Sequence, residues 1–245
     1  MKNNLLKILT ALLFVSFSAS AREIKGGPGQ IPEGLTIPNA RYVGDSKNVI
    51  RGHAPAEHAG EFPAARVTHV LIIKNQVKTE VDEEIAQLVE LGLSQDHIHH
   101  IAYRWKDLDP LVSCEQTVEA LDYIAHMAAV PSNKLYFHCT AGVDRTGLVA
   151  ALYRLQNESQ TNAFQMFKDE MCAHGYGDAT YFRPNHVKEA IHVGLTPLYI
   201  KLAHIIIENR KAKSVLSKDI CQPNFFQSPS LEKKVTTELA KYKCR

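Results

Sequence analysis

The chain has 245 residues, 45% of them hydrophobic, with 28 Lys+Arg against 26 Asp+Glu. That apolar share is enough for a sizeable core. The near-balance of charge excludes nucleic acid as the main partner, and it becomes full balance, 26 against 26, once residues 1–21 are removed.

Residues 1–21 read as a leader. Lys2 and Lys7 flank the start of an apolar run, Ile8 to Phe17, and Ala19-Ser20-Ala21 follows as a small-x-small cleavage pattern. This predicts a secretory signal peptide cut after Ala21, and an exported protein, periplasmic or secreted. The run is shorter than the roughly 20 apolar residues of a permanent membrane span. No other segment is read as long and apolar enough to span a membrane, and no transmembrane segment is expected in the mature chain. Its 224 residues fit one domain with extensions.

Residues 22–41 are rich in Gly and Pro and predict an extended arm. A main domain over 42–210 and a polar C-terminal tail over 211–245 complete the expected organisation. Asn48 to Pro55 carries Arg51, which is expected to make a structural salt bridge rather than a substrate contact. Val67 to Ile73 is a continuous β-branched run, the mark of a buried strand. Thr79 to Leu91 predicts a helix, with Thr79 and Asp82 in a capping-box pattern and Val81, Ile85, Leu88 and Val89 on one face. His97 to Tyr103 predicts another strand. His97 and His99 share one face of it while His100 lies on the other, and no nearby Cys or acid completes a ligand set. They are expected at the surface, with no metal.

Arg104 to Pro110 is a loop carrying two carboxylates, Asp107 and Asp109. Ser113 to Ala128 predicts a helix, with Ser113 and Gln116 as its capping box. Leu135-Tyr136-Phe137 is a short β-type run, and Leu148 to Leu155 is apolar nearly all round, as a buried helix requires. Ala163 to Ala173 predicts a further helix stopped by Gly175. Val187 to Glu208 predicts one or two more, with Pro197 in a first turn.

Between the strand and the buried helix lies His138-Cys139-Thr140-Ala141-Gly142-Val143-Asp144-Arg145-Thr146-Gly147. A strand–loop–helix order points backbone N–H groups of residues 140–145 at one spot, where the helix dipole also favours an anion. Arg145 at the helix start offers two parallel donors to phosphate oxygens. Gly142 lets the loop turn. The same positive potential lowers the Cys139 thiol, since thiols at helix N-termini fall to roughly 3.5–7.5. Thr146 is placed to hydrogen-bond the sulfur and His138 to fix the loop. The joint match of these residue types arises by chance on the order of 10⁻⁶ per chain.

These ten residues resemble the His-Cys-x5-Arg-Thr-Gly signature of the cysteine-dependent protein tyrosine phosphatases, especially the dual-specificity branch. The Ala-Gly-x-Asp-Arg-Thr-Gly form is also similar to bacterial secreted phosphatases that accept phosphotyrosine and phosphoinositides. The resemblance covers roughly Tyr42 to Ile207. It implies an α/β fold, a mostly parallel sheet flanked by helices. It implies a phosphorylated substrate, either a protein or a phospholipid or inositol phosphate, and neither metal nor organic cofactor. It implies Cys139 as nucleophile and Arg145 as transition-state clamp.

It also implies a general acid on a loop upstream. Asp107, which stands 32 residues before Cys139 in an Asp-x-x-Pro context, fits that place, with Trp105-Lys106-Asp107 similar to the family's Trp-Pro-Asp. Asp109 is the competing candidate, with a turn or helix cap as its other role. Asp144 precedes the Arg as in the resembled lipid-active phosphatases, but Val143 stands where some of those carry Lys. That makes a highly phosphorylated inositol substrate less favoured. A non-catalytic phosphoprotein-binding module on the same fold is the remaining alternative.

Four cysteines besides Cys139 allow three full pairings. Export favours disulfides, and a Cys221–Cys244 bridge would tether the tail. Cys114 or Cys172 is also placed as a reversible disulfide partner protecting Cys139 from oxidation.

Overall fold

The structure, a computed structural model, describes residues 29–104, 109–159, 162–177, 185–212 and 216–244. Residues 1–21, Trp105, Lys106 and Asp107 lie outside these segments.

The sheet runs in the order β1 (Arg41–Tyr42), β2 (Val49–Gly52), β5 (Leu135–His138), β3 (His69–Ile72) and β4 (Ile98–His100). All neighbours are parallel except β1 against β2. This is the mostly parallel α/β sheet that the sequence implies. The central strand β5 alternates cleanly. Leu135 and Phe137 enter one core while Tyr136 enters the other, because successive strand side chains point to opposite faces.

Helices α2 (Pro110–Ala128), α3 (Asp144–Asn157) and α6 (Thr196–Ala212) belong to the larger core. Helix α1 (Glu80–Glu90) covers the other face, joined by Leu35, Ile37 and Ala40. Part of the expected extended arm is therefore packed. Gln30 O accepts from Tyr42 N at 2.9 Å, and the apolar side chains of 35–40 are buried.

Two helix starts differ from expectation. Thr79 does not cap α1; Gln76 Oε1 accepts from Val81 N at 3.0 Å instead. Helix α2 begins at Pro110 rather than near Ser113, and Asp109 Oδ1 accepts from Leu111 N and Val112 N. Asp at the N-cap with Pro at N1 is the stronger start signal, and it leaves Ser113 inside the helix, buried. The expected strand to Tyr103 shortens to β4. Its histidines are half-buried and engaged: His99 Nε2 meets Glu119 Oε1 at 3.2 Å and His100 Nε2 donates to Lys74 O at 2.8 Å.

Past α3, helix α4 (Ala163–Met166) continues as a π-turn, Phe167–Met171, and a 3₁₀ turn, Cys172–His174. Gly175 ends it at φ +89°, the left-handed stop expected of it. Helix α5 (Asn185–Ala190) runs through a second π-turn into α6. The 25-residue run Lys188–Ala212 is long and apolar enough to cross a membrane, contrary to expectation. Its apolarity reflects burial on several sides, since α6 packs against α2, α3 and α8 (Pro229–Glu238).

The tail is likewise part of the fold. Helix α7 (Pro223–Phe226) precedes α8, and Tyr242 packs its ring 5.1 Å from Phe167 and 5.7 Å from Tyr199. The bridges are Cys114–Cys221 and Cys172–Cys244, not Cys221–Cys244. Each ties the C-terminal segment to the domain instead of closing a loop within it. Cys114 and Cys172 are thereby committed, and Cys139 alone stays a thiol.

Candidate active site

The loop between β5 and α3 is built by its carbonyls. Cys139 O accepts from His138 Nδ1 at 2.8 Å, Thr140 O from Ala54 N at 3.1 Å, Ala141 O from Asn39 Nδ2 at 3.2 Å and Gly142 O from Arg51 Nη2 at 2.8 Å. Val143 O then accepts from Gly147 N at 2.8 Å as α3 begins. Four consecutive carbonyls are thus held by the surrounding scaffold. The chain has no cis peptide bond among the described residues, and in a planar trans peptide the next residue's N–H points opposite to the carbonyl. The amides of Thr140, Ala141, Gly142 and Val143 are turned the other way, into the cup, and α3 adds the unsatisfied N–H groups of its first turn. Such an arrangement of backbone can cradle an anion.

Gly142 is required at its place twice over. Its φ is +65°, and a Cβ there would stand 2.3 Å from the backbone C and O of Gly52 and 2.5 Å from His53 N. Neither neighbour is a flexible side chain, so the loop itself would have to move. Gly142→Ala is expected to cost about 1–3 kcal/mol of stability and to abolish saturable binding of inorganic phosphate. Thermal melting and calorimetric titration check both. A wild-type melt with wild-type phosphate binding would contradict this assembly of the loop.

Cys139 sits at the base of the cup, 3% exposed. Its backbone N donates to Thr146 Oγ1 at 2.8 Å, which leaves the Thr146 hydroxyl proton for the sulfur. Burial pushes the thiol up, but the Arg145 guanidinium and the Thr146 hydrogen bonds outweigh it and bring it down to about 7, against a small opposing push from Asp144. Near neutral pH a large share is thiolate. Arg145 reaches across the loop, Nη2 donating to Thr140 Oγ1 at 3.3 Å. Asp144 is half-buried in the first turn of α3, where the helix dipole favours negative charge.

Arg51 is fully buried on the sheet face that α3 covers. Besides Gly142 O it donates Nη1 to Glu170 Oε2 at 2.8 Å, and Arg154 Nη1 holds the other Glu170 oxygen at 3.0 Å. The salt bridge expected of Arg51 is present, and the side chain also braces the loop. Tyr103, fully buried, hydrogen-bonds Thr117. Burial raises its phenol well above the usual range, so it stays neutral.

The structure thus brings Cys139, Arg145, Thr146, His138 and residues 140–144 into one loop. Asp109, the competing acid, is the cap of α2, and Asp107 lies outside the described residues. Asn39 and Glu84 were not legible as site residues. Asn39 lies in the Gly/Pro-rich stretch at φ +60°, with no motif around it. Glu84 carried one signal: an acid at i+3 from Val81 and i−4 from Leu88, on the buried face of α1.

Residues 46–157 match the model of the tyrosine phosphatase family. Among solved structures, the PTP-2 phosphatase of Cydia pomonella aligns with a TM-score of 0.43 and 16% identity, over 62% of this chain and 88% of its own. TpbA of P. aeruginosa, a cysteine-to-serine variant in complex with pTyr, aligns with a TM-score of 0.43 and 15% identity, over 67% of this chain and 94% of its own. No curated protein matches the chain.

Proposed function

We propose that the chain, whose residues 46–157 match the tyrosine phosphatase family model, is an exported cysteine-dependent phosphatase that hydrolyses phosphotyrosine, with or without phosphoserine and phosphothreonine, on proteins. The observation that carries the catalytic part is the cup itself: a thiol drawn down to about 7 beneath backbone amides and a guanidinium.

The Cys139 thiolate attacks phosphorus in line with the ester oxygen. The P–S bond forms as the P–O bond breaks, and the leaving oxygen takes the proton of Asp107. The cup amides and Arg145 hold the three equatorial oxygens as charge shifts. Water then attacks the phosphocysteine, Asp107 takes its proton, and inorganic phosphate and the thiolate are released.

Asp107 and Asp109 are separable. Asp107→Asn is expected to lower turnover of an aryl phosphate by about 10²–10⁴-fold and to flatten the alkaline limb of the pH profile. Asp109→Asn leaves turnover within about threefold, because Asn caps a helix about as well as Asp. The reverse pattern would move the acid to Asp109.

Export is supported by the leader-like composition of residues 1–21 and by the two disulfides, which suit an oxidising compartment. Substrate class is tested by kcat/KM on a phosphotyrosyl peptide against phosphoinositide vesicles. Higher kcat/KM on the peptide supports the protein-phosphatase reading, in keeping with Val143 at a position that is basic in some lipid-active phosphatases. Higher kcat/KM on vesicles would replace it with the phosphoinositide reading.

A further inference from the structure

On the sheet face opposite Arg51 lies a buried line of three ionisable side chains that the chemistry above does not use. The alternation of β5 sends His138 toward α1, as it sends Tyr136. There α1 presents Val81, Glu84 and Leu88 inward, so Glu84 occupies a core position. His138 Nε2 stands 2.8 Å from Glu84 Oε1, and Glu84 Oε2 stands 2.7 Å from Lys74 Nζ, with side-chain exposures of 0%, 8% and 9%. On its other side the ring reaches the nucleophile, Nδ1 donating to Cys139 O at 2.8 Å.

The protons follow from the acceptors. A carbonyl only accepts, so Nδ1 carries a hydrogen. Nε2 stands against Glu84 Oε1 at 2.8 Å, off the line of a well-formed hydrogen bond, so the carboxylate limits how far the ring can turn. Burial pushes the Glu84 carboxyl up, but His138 and Lys74 outweigh it and hold it at about 2, ionised. The groups facing this ring are Glu84 from α1, Lys74 after β3, His53 after β2, Tyr136 with its ring 5.8 Å away, and Cys139. Well-packed apolar side chains often stabilise a core as much as a buried ion cluster or more. A carboxylate here, one ring away from the loop, suits orientation rather than stability.

We propose that Glu84 is a positioning residue for the nucleophile: with Lys74 behind it, it clamps His138 so that Nδ1 holds the Cys139 carbonyl outward. The proposal rests on Cys139 being the nucleophile. Without the clamp the ring can turn, Cys139 O loses its donor, and the sulfur drifts from Thr146 and Arg145.

The test uses the full chain with Glu84→Gln and with Lys74→Met/Glu84→Gln; the double variant leaves neither acid nor ammonium unpaired in the core. Three quantities are read: melting temperature, kcat and KM on an aryl phosphate, and the pH midpoint for alkylation of Cys139 by iodoacetamide. In the folded variants kcat is expected to fall about tenfold or more with KM nearly unchanged, and the alkylation midpoint to rise by roughly half a pH unit or more. A folded double variant with wild-type kcat and midpoint would overturn the proposal and leave the triad a fold element. If both neutral variants unfold, Glu84→Asp, which keeps the charge but sets it one methylene back from the ring, is judged by the same readouts. Absence of turnover by wild type would overturn the phosphatase reading instead, while the alkylation midpoint would still judge the clamp.

Discussion

Cys139→Ser is expected to lower turnover of a generic aryl phosphate, without added metal, by roughly 10⁴–10⁶-fold, the loss typical of removing a catalytic nucleophile. The reason is ionisation, not shape. A thiol at about 7 is about half thiolate at neutral pH, whereas a serine hydroxyl in the same cup stays protonated and is a weak nucleophile. The cradle does not depend on the sulfur. Its carbonyls are tied by His138, Ala54, Asn39 and Arg51, and the Cys139 amide by Thr146. The variant is therefore expected to keep binding phosphate and phosphopeptide, which calorimetry can measure. The wild-type profile has a matching sign. Below about 7 the thiolate is lost by protonation, so kcat/KM is expected to fall about tenfold per pH unit on the acid side. A variant that retained turnover would remove Cys139 from the mechanism. Wild type that bound phosphopeptide but never turned it over would favour the binding module.

Arg51→Met is expected to destabilise the fold by about 3 kcal/mol, near the low end for breaking a buried ion pair. Arg51 and Glu170 are 0% and 2% exposed at the side chain. Removing the guanidinium takes the Arg51 donors from Glu170 Oε2 and from the Gly142 carbonyl. The cost stays at the low end because Arg154 still holds the other Glu170 oxygen at 3.0 Å. For a chain of this size that is a drop in melting temperature of roughly 6–12 °C. Turnover is expected to fall further than stability alone explains, since Gly142 O is one of the four loop carbonyls. Arg51→Lys recovers part of the stability but little of the turnover, because a single ammonium cannot span both Glu170 and Gly142 as a fork does. A melting temperature within about 2 °C of wild type for Arg51→Met would contradict the bracing role.

Much of the site was legible because its parts are contiguous. A β-type run, a ten-residue loop and an apolar helix follow one another from Leu135 to Leu155, and the chemistry of each residue type survives translation into structure. Arg51 was legible as a salt-bridging residue, but not as the donor to Gly142, since that contact joins residues 91 positions apart. The Ser113–Gln116 capping-box pattern sets the start of α2 one turn too late, while Asp109-Pro110 lies just upstream. The nearer pair won, and in winning gave Asp109 a structural role. The disulfides were not legible, because pairing over separations of 107 and 72 residues depends on how the C-terminal segment folds back over the domain. Polar composition suggested a loose tail there. A few anchors, Leu231, Val235 and Tyr242, with the two bridges, suffice to order it. Glu84 was legible only in hindsight of α1's phase, as a charge on the face that goes inward.

The most direct measurement is rapid acid quench of wild-type turnover on an aryl phosphate, followed by peptide mapping by mass spectrometry. A phosphoryl group on the peptide carrying Cys139, absent from Cys139→Ser, is the expected result. Turnover with no phosphoryl group on that peptide at any quench time, or with the group on a different side chain, would contradict the assignment of Cys139 as the nucleophile.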